Sequence, residues 1–189
     1  MRPAEALAVE LKQYQGQEFR TLVPRVIGET ERARAAKSVP ATRRKISVDE
    51  WLEEFAAAHG EDALGAAQKM LEWFRGLDGN VSTTASGDAL ALSIAGATGR
   101  TAWPFFVRSN GEFEVSLQYL KNRPAFSSDQ SRQNLLDRIE RLPDIHLSST
   151  GKLTGWPHFP VVDLGREGAW TAFCELARDI VNQARHEPE

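Results

Sequence analysis

Apolar side chains at Leu7, Val9 and Leu11 alternate with other residues along the opening segment, residues 6–14. A period of two is typical of a half-buried strand, because successive side chains of a strand point to opposite faces. From Thr21 the apolar positions follow helical spacing instead, and we predict a helix that ends near Lys37. Residues 1–37 are therefore expected to form a short β–α arm.

Residues 38–46 show no periodicity and include a proline and consecutive basic residues, which predicts a linker and a domain boundary. Helical spacing returns at Ser47, where Ser47 and Glu50 have the spacing of a capping box. The apolar pattern predicts four helices in the following domain, residues 47–187: 47–60, 61–75, 128–142 and 166–185.

Between these helices, residues 80–119 return to a period of two in four short runs. Asn110 and Gly111 separate the last two runs, and this pair favours a two-residue hairpin turn because both positions need positive φ. Residues 145–160 are predicted as a short strand or a loop. The predicted fold class is α+β, with a short N-terminal β–α arm followed by a four-stranded antiparallel sheet covered by helices.

The charge is unevenly distributed. Residues 1–46 carry ten basic and five acidic side chains, a net charge of +5, whereas the rest of the chain carries −8. A basic segment favours a polyanionic partner, although a solvated helix face or attraction between subunits explains it too. No apolar run approaches the roughly 18 residues of a membrane span and no leader is recognisable, so we predict a cytoplasmic protein without a membrane partner.

The candidate chemistry of the first segment lies in Glu10 and Lys12, which share one face of the predicted strand. A carboxylate can hold a divalent cation, and a neighbouring ammonium can orient water or neutralise a developing phosphoryl charge. These two groups supply half of the apparatus for metal-assisted phosphodiester hydrolysis. The alternative is a solvent-facing ion pair, which contributes under about 1 kcal/mol.

Five stretches of the chain carry a resemblance to a known family: 7–14, 21–30, 103–111, 113–121 and 123–126. They resemble uncharacterised bacterial proteins whose N-terminal halves look like the PD-(D/E)XK, restriction-endonuclease-like nuclease fold. The resemblance implies that Glu10 is a metal carboxylate for Mg²⁺ and that Lys12 is the cation that faces the phosphate. It also implies an aspartate on an upstream strand that this sequence lacks, so the implied Mg²⁺ site is incomplete.

The first functional hypothesis is therefore a nucleic-acid-associated, nuclease-like protein, linked to DNA restriction or repair and either truncated or catalytically incomplete. If it is an active enzyme, it is a metal-dependent nuclease. Basic side chains of the first segment are expected to contact the DNA backbone: Arg25, Arg32, Arg43, Arg44 and Lys45.

The alternative function is a non-enzymatic, oligomeric interaction module. The opening strand leaves an unpaired edge and its apolar face needs a partner, so we predict a homo-oligomer formed through the N-terminal arm.

Aromatic residues of the predicted sheet offer a second candidate surface, because such residues form base-stacking platforms in single-strand binders. These residues are Trp103, Phe105, Phe106 and Tyr119. Packing against helices explains them equally well, and the net charge of −8 argues against a polyanion. The basic cluster that favours binding there consists of Arg100, Arg108, Lys121 and Arg123. A separate aromatic loop bracketed by prolines, Trp156-Pro-His-Phe-Pro160, is either a ligand contact or a cover for the core.

Overall fold

The computed structural model describes residues 8–15, 20–27, 46–96, 99–148 and 153–186, with the first two ranges described by their backbone alone. The chain divides into two compact units, Met1–Arg43 and Arg44–Glu189. Each unit is described by itself.

The described part of the first unit is an antiparallel pair of strands, β1 (Ala8–Gln15) and β2 (Arg20–Ile27). Its register places Glu10 opposite Arg25. The helix predicted from Thr21 is therefore wrong over residues 21–27, and the predicted β–α arm is a β–β pair there. β2 is rich in β-branched residues, which lose side-chain freedom in helices and favour strands. Residues 28–37 of the predicted helix and 38–45 of the predicted linker lie outside the described residues.

The second unit has an α+β fold, as predicted. Its described helices are α1 (Val48–Arg75), α2 (Leu117–Leu120), α3 (Asp129–Glu140) and α4 (Glu167–Arg185). Its described strands are β3 (Asn80–Thr83), β4 (Ala89–Ala95), β5 (Thr101–Arg108), β6 (Glu112–Val115) and β7 (His158–Pro160). Two 3-10 turns occupy Pro124–Phe126 and Val161–Gly165.

The sheet of this unit has five strands in the described residues, in the order β3-β4-β5-β6-β7, and every neighbouring pair is antiparallel. The prediction of four strands is wrong because β7 joins the edge of β6, with Phe113 opposite Phe159. β7 has only three residues and ends in proline, so it is too short to show alternation in the sequence.

Two local signals are confirmed, the cap of the first helix and the position of a hairpin. The Ser47 hydroxyl accepts a hydrogen bond from the backbone N–H of Glu50 at 3.1 Å and caps α1. The two helices predicted over residues 47–75 form one element with a kink at Gly60, whose φ of 81° is not helical. Residues 109–111 connect β5 to β6, so the hairpin lies where it was predicted. The predicted two-residue turn is wrong, because the connection has three residues and only Gly111, with a φ of 90°, has a positive φ, whereas Asn110 does not.

One face of the sheet packs against α1 and α4 to form the main core. The rings of Phe105, Phe113 and Phe173 lie at its centre, with centroids 5.5 Å apart for the first two and 5.1 Å apart for the last two. The opposite face of the sheet, which we call the outer face, carries a second apolar cluster that includes Phe106 and Trp156.

A β-bulge in β5 changes which residues reach the outer face. Ile94 pairs with Ala102 and Leu92 pairs with Phe105, so two steps along β4 match three steps along β5. The additional residue lies in Trp103-Pro104, where proline cannot donate a ladder hydrogen bond. Ala102 and Phe105 consequently both belong to the main core, whereas Trp103 remains exposed.

Within the described parts of the chain, the helices are too short or too polar to cross a membrane.

Candidate functional site

Two aromatic side chains of the outer face are exposed beside each other. Trp103 and Tyr119 are 41% and 43% exposed, and their ring centroids are 6.0 Å apart. Among the described residues, Val162 is the only other large apolar side chain with comparable exposure. An exposed aromatic pair is therefore a local exception to the burial of large apolar side chains in this unit.

The pair continues into two further rings. Tyr119 contacts Trp156 edge-to-face at 5.0 Å, and Phe106 lies 5.5 Å from Trp156 and 6.0 Å from Tyr119. We call these four residues, Trp103, Tyr119, Trp156 and Phe106, the aromatic strip. Phe106 is buried beneath its neighbours, so Trp103 and Tyr119 offer the open ring surface.

Backbone hydrogen bonds fix the segments that carry the strip. The N–H of Ser116 donates to the carbonyl of Pro104 at 2.8 Å, which connects the bulge of β5 to the start of α2. The Ser116 hydroxyl accepts from the N–H of Tyr119 at 3.2 Å, and the N–H of Gln118 donates to the carbonyl of Gly155 at 3.3 Å. The aromatic strip is thus assembled from three segments that are bonded to one another.

Arg132, in α3, donates hydrogen bonds to backbone carbonyls of the same region. Its side chain is buried, and its Nε donates to the carbonyl of Leu153 at 2.8 Å. Another guanidinium nitrogen donates to the carbonyls of Phe126 at 2.6 Å and Ser127 at 2.7 Å. Arg132 therefore connects the turn that follows α2 to the segment that precedes Trp156.

A surface depression of about 370 Å³ lies at the Trp103 end of the strip. Its lining residues are Arg100, Thr101, Ala102, Trp103, Tyr119, Asn122 and Arg123. None of these lining residues is acidic. The Arg100 side chain is exposed, whereas Arg123 is buried and donates to the Arg100 carbonyl at 3.1 Å. We call Arg100 and Arg123 the basic end of the strip.

The opposite end of the strip is acidic. Arg108 lies over Phe106 and Trp156, with its central guanidinium carbon 5.7 and 5.8 Å from the two ring centroids. Its Nε is 2.7 Å from a carboxylate oxygen of Glu114, and another nitrogen is 3.3 Å from Asp88. A single arginine therefore forms ion pairs with two carboxylates.

The surroundings of these carboxylates shift their pKa values in opposite directions. Burial raises the pKa of Glu114, against the opposing effect of Arg108. The Glu114 oxygen nearest to Arg108 forms the ion pair but accepts no well-aligned hydrogen bond. The ion pair therefore offsets only part of the free-energy cost of burying the carboxylate. Hydrogen bonds from Ser86 and Thr84, with the charge of Arg108, lower the pKa of Asp88.

Glu112 adds a third carboxylate to this end, 3.5 Å from the Nε2 of His158. The other ring nitrogen of His158 lies 2.8 Å from the carbonyl of Trp156. We call Asp88, Glu112 and Glu114 the acidic end of the strip.

The two residues predicted for nuclease chemistry fall in the first unit, whereas two of the predicted DNA-contacting residues, Arg44 and Lys45, belong to the second unit. Glu10 and Lys12 both lie in β1, two positions apart, so the prediction that they share a strand is confirmed. Arg25 lies in β2. Arg32, Arg43, Arg44 and Lys45 lie outside the described residues. Within the described residues, His, Cys, Asp and Glu form no group of three or more that could hold a metal ion.

The predicted aromatic platform is only partly assembled. Trp103, Phe106 and Tyr119 come together, but Phe105 belongs to the main core because of the bulge. Among the predicted cations, Arg108 lies at the acidic end, and the Lys121 ammonium donates to the Gln118 side chain at 3.2 Å. Trp156 completes the strip. Its signal in the sequence was the proline-bracketed aromatic loop, which sequence spacing could not connect to Tyr119.

Comparison with protein-family models, curated proteins and solved structures finds no match for this chain. Its function therefore has to follow from the chemistry of its own residues.

Proposed function

We propose that this chain is a nucleic-acid-associated protein that binds single-stranded nucleic acid through the aromatic strip and is catalytically incomplete by itself. The observation that carries the proposal is the exposed pair Trp103 and Tyr119 beside the basic end. Exposed aromatic rings stack on unpaired bases of any sequence, and arginine contacts the phosphates between them.

Single strands fit this surface better than duplexes because the faces of paired bases are covered by their neighbours in the stack. The depression beside Trp103 has no acidic lining residue, so a phosphate there meets Arg100 without a competing carboxylate. The net charge of −8 over residues 47–189 opposes non-specific attraction, but the described residues that line the depression include two arginines and no acidic residue.

The test is the affinity of the full chain for a labelled decathymidylate and for a duplex, measured by fluorescence anisotropy. Stacking contributes about 1–3 kcal/mol per base, so Trp103→Ala and Tyr119→Ala should each weaken single-strand binding about tenfold. Trp103→Phe should retain most of the affinity because it keeps a ring. Val162→Ala is the matched control, since this exposed apolar residue is not part of the strip. Unchanged single-strand binding by Trp103→Ala would refute the proposal.

Basic residues of the first segment add salt-sensitive phosphate contacts in this proposal, and these contacts are available to single strands and duplexes alike. Replacing them together by glutamine should weaken both kinds of binding and reduce the slope of log affinity against log salt by about 1 per lost phosphate contact. The residues are Arg25, Arg32, Arg43, Arg44 and Lys45. A duplex affinity that survives these replacements unchanged contradicts this role.

The nuclease-like part of the proposal rests on Glu10 and Lys12. Their spacing in β1 supplies one carboxylate and one cation of a Mg²⁺-dependent site, and a second acid is needed to hold the metal. We therefore expect the chain to bind DNA but not cleave it when Mg²⁺ is added. Cleavage that requires Mg²⁺ and disappears in Glu10→Gln would show a complete site and overturn this part.

The alternative is a non-enzymatic, oligomeric interaction module, and one observation favours it. Among the described residues, β1 and β2 form a two-stranded sheet without a third strand. An isolated strand pair is marginally stable, and its free edges can pair with a second copy. This alternative predicts a homodimer in sedimentation at micromolar concentration and no affinity for nucleic acid at low salt. A strict monomer would exclude it.

A further inference from the structure

The two ends of the aromatic strip differ in charge, and this difference limits how much of a strand the strip can hold. Trp103 and Tyr119 are the two rings with open faces, and each ring can stack on one base. Beyond them lie Trp156 and the buried Phe106, over which the guanidinium of Arg108 is placed. The stacking surface therefore covers about two nucleotides.

Arg108 is not free to receive a phosphate at the far end. Its guanidinium lies 2.7 Å from Glu114 and 3.3 Å from Asp88. Glu112 adds a third carboxylate, whose nearest cationic candidate is His158 at 3.5 Å. Three carboxylates lie around one arginine at this end, so acidic side chains outnumber arginines there.

A strand that continued along the strip would place phosphates next to these carboxylates. Like charges at short distance repel, and the buried position of Glu114 reduces the screening by water and salt. The basic end offers the opposite environment, since Arg100 and Arg123 flank the depression beside Trp103. Base stacking and phosphate attraction are both favourable only at that end.

We propose, on the basis of the proposed function, that the strip binds a terminal unit of one or two nucleotides, with its phosphate at Arg100, and not the interior of a long strand. The shared chemistry is a nucleobase that carries a phosphate. Two sources supply it, the end of a single strand or a free mononucleotide.

The first experiment is an abasic scan of a decathymidylate against the full chain. Ten oligonucleotides each lack one base, and the affinity of each is compared for the wild-type chain and Trp103→Ala. We expect a loss of about tenfold only when the missing base is one of two at the same end, and no such dependence in Trp103→Ala. Losses at interior positions, or a flat scan, would overturn the proposal, because an interior site tolerates a shift of register.

The second experiment tests whether the acidic end limits how far a bound strand extends along the strip. Glu112→Gln removes one carboxylate and should raise the affinity for decathymidylate several-fold, while the affinity for dithymidylate, a two-nucleotide probe that the stacking surface holds entirely, stays unchanged. Glu140→Gln is the matched control, because this exposed residue of α3 lies outside the strip. An equal effect of Glu112→Gln on both lengths would contradict the boundary.

The third experiment distinguishes the two sources by titration with thymidine monophosphate. An affinity for thymidine monophosphate within threefold of that for the decamer identifies the free nucleotide, whereas a decamer that binds more than threefold tighter identifies a strand end. Both results agree with a terminal unit. If neither ligand nor any oligonucleotide binds, the proposed function itself fails. If decamers bind without end dependence, single-strand binding stands and only the present inference falls.

Discussion

Replacement of Arg132 by methionine should destabilise the second unit far more than the same replacement of Arg138. Both arginines lie in α3, and methionine has a similar helix propensity and stem length, so local helix formation is matched. Arg132 is buried and donates to three backbone carbonyls. Arg138 forms an exposed ion pair with Asp179 at 2.7 Å.

The magnitude follows from the fate of the carbonyls after the guanidinium is lost. The bond to the carbonyl of Phe126 is buried, and an unsatisfied buried acceptor costs about 1–3 kcal/mol. The bonds to Ser127 and Leu153 are partly buried, so water replaces them and each loss costs about 0.5–1.5 kcal/mol. We expect Arg132→Met to lower the free energy of unfolding by about 3 kcal/mol, and Arg138→Met by less than about 1 kcal/mol.

Urea denaturation followed by tryptophan fluorescence measures both values. With a slope of about 2 kcal/mol per molar urea, the Arg132→Met midpoint should fall by roughly 1.5 M. The same variant should bind decathymidylate more weakly, because the turn after α2 and the segment before Trp156 lose their common hydrogen-bond donor. Equal losses of stability in the two variants would refute the reasoning that Arg132 holds these segments together.

Three further predictions concern single side chains. Gly111→Ala should lower the free energy of unfolding, measured by heat or urea, by about 1 kcal/mol or more, because φ is 90° and the new methyl group would lie 3.1 Å from the His59 ring. The control is Gly168→Ala, whose new methyl group meets no atom within 4 Å. Glu114→Gln should gain stability relative to wild type as pH rises from 4 to 7. Because burial raises the pKa of Glu114 in the folded state, its carboxyl group stabilises the fold fully below the pKa of the unfolded chain, and this stabilisation is lost as pH rises through the folded-state pKa. A difference in unfolding free energy between the two proteins that does not change with pH contradicts this. Cys174 should react slowly with a thiol reagent at pH 8 and rapidly in urea, because burial raises its pKa to about 11; fast labelling of the native chain contradicts this.

The sequence was sufficient where a structure is determined by neighbouring residues. Ser47 and Glu50 define the start of α1 because both partners of the cap lie within one turn. Asn110 and Gly111 locate a hairpin because asparagine and glycine favour turns, and Gly111 has the positive φ that glycine adopts without strain, although Asn110 does not have the predicted positive φ. Residues within such an element determine it, so the sequence alone predicted where the helix begins and where the hairpin lies.

The errors come from interactions between distant residues. The apolar residues of 20–27 fit a helical period as well as a strand, and pairing with β1 selects the strand. β7 is stabilised by its pairing with β6 and has too few residues for a pattern of its own. For the candidate site, the aromatic residues were recognisable, but only the three-dimensional fold brings Trp156 next to Tyr119.

The bulge in β5 makes the position of Trp103, and with it the candidate binding surface, separable from the packing of the core. Ala102 and Phe105 keep their positions in the core on either side of the additional residue, whereas Trp103 and Pro104 together oppose one residue of β4. Deletion of Pro104 would remove the additional residue together with the carbonyl to which the Ser116 N–H donates, yet strand alternation would still direct Ala102 and Phe105 to the same face. The loss of a single codon would thus change the position of Trp103 without rebuilding the hydrophobic interior.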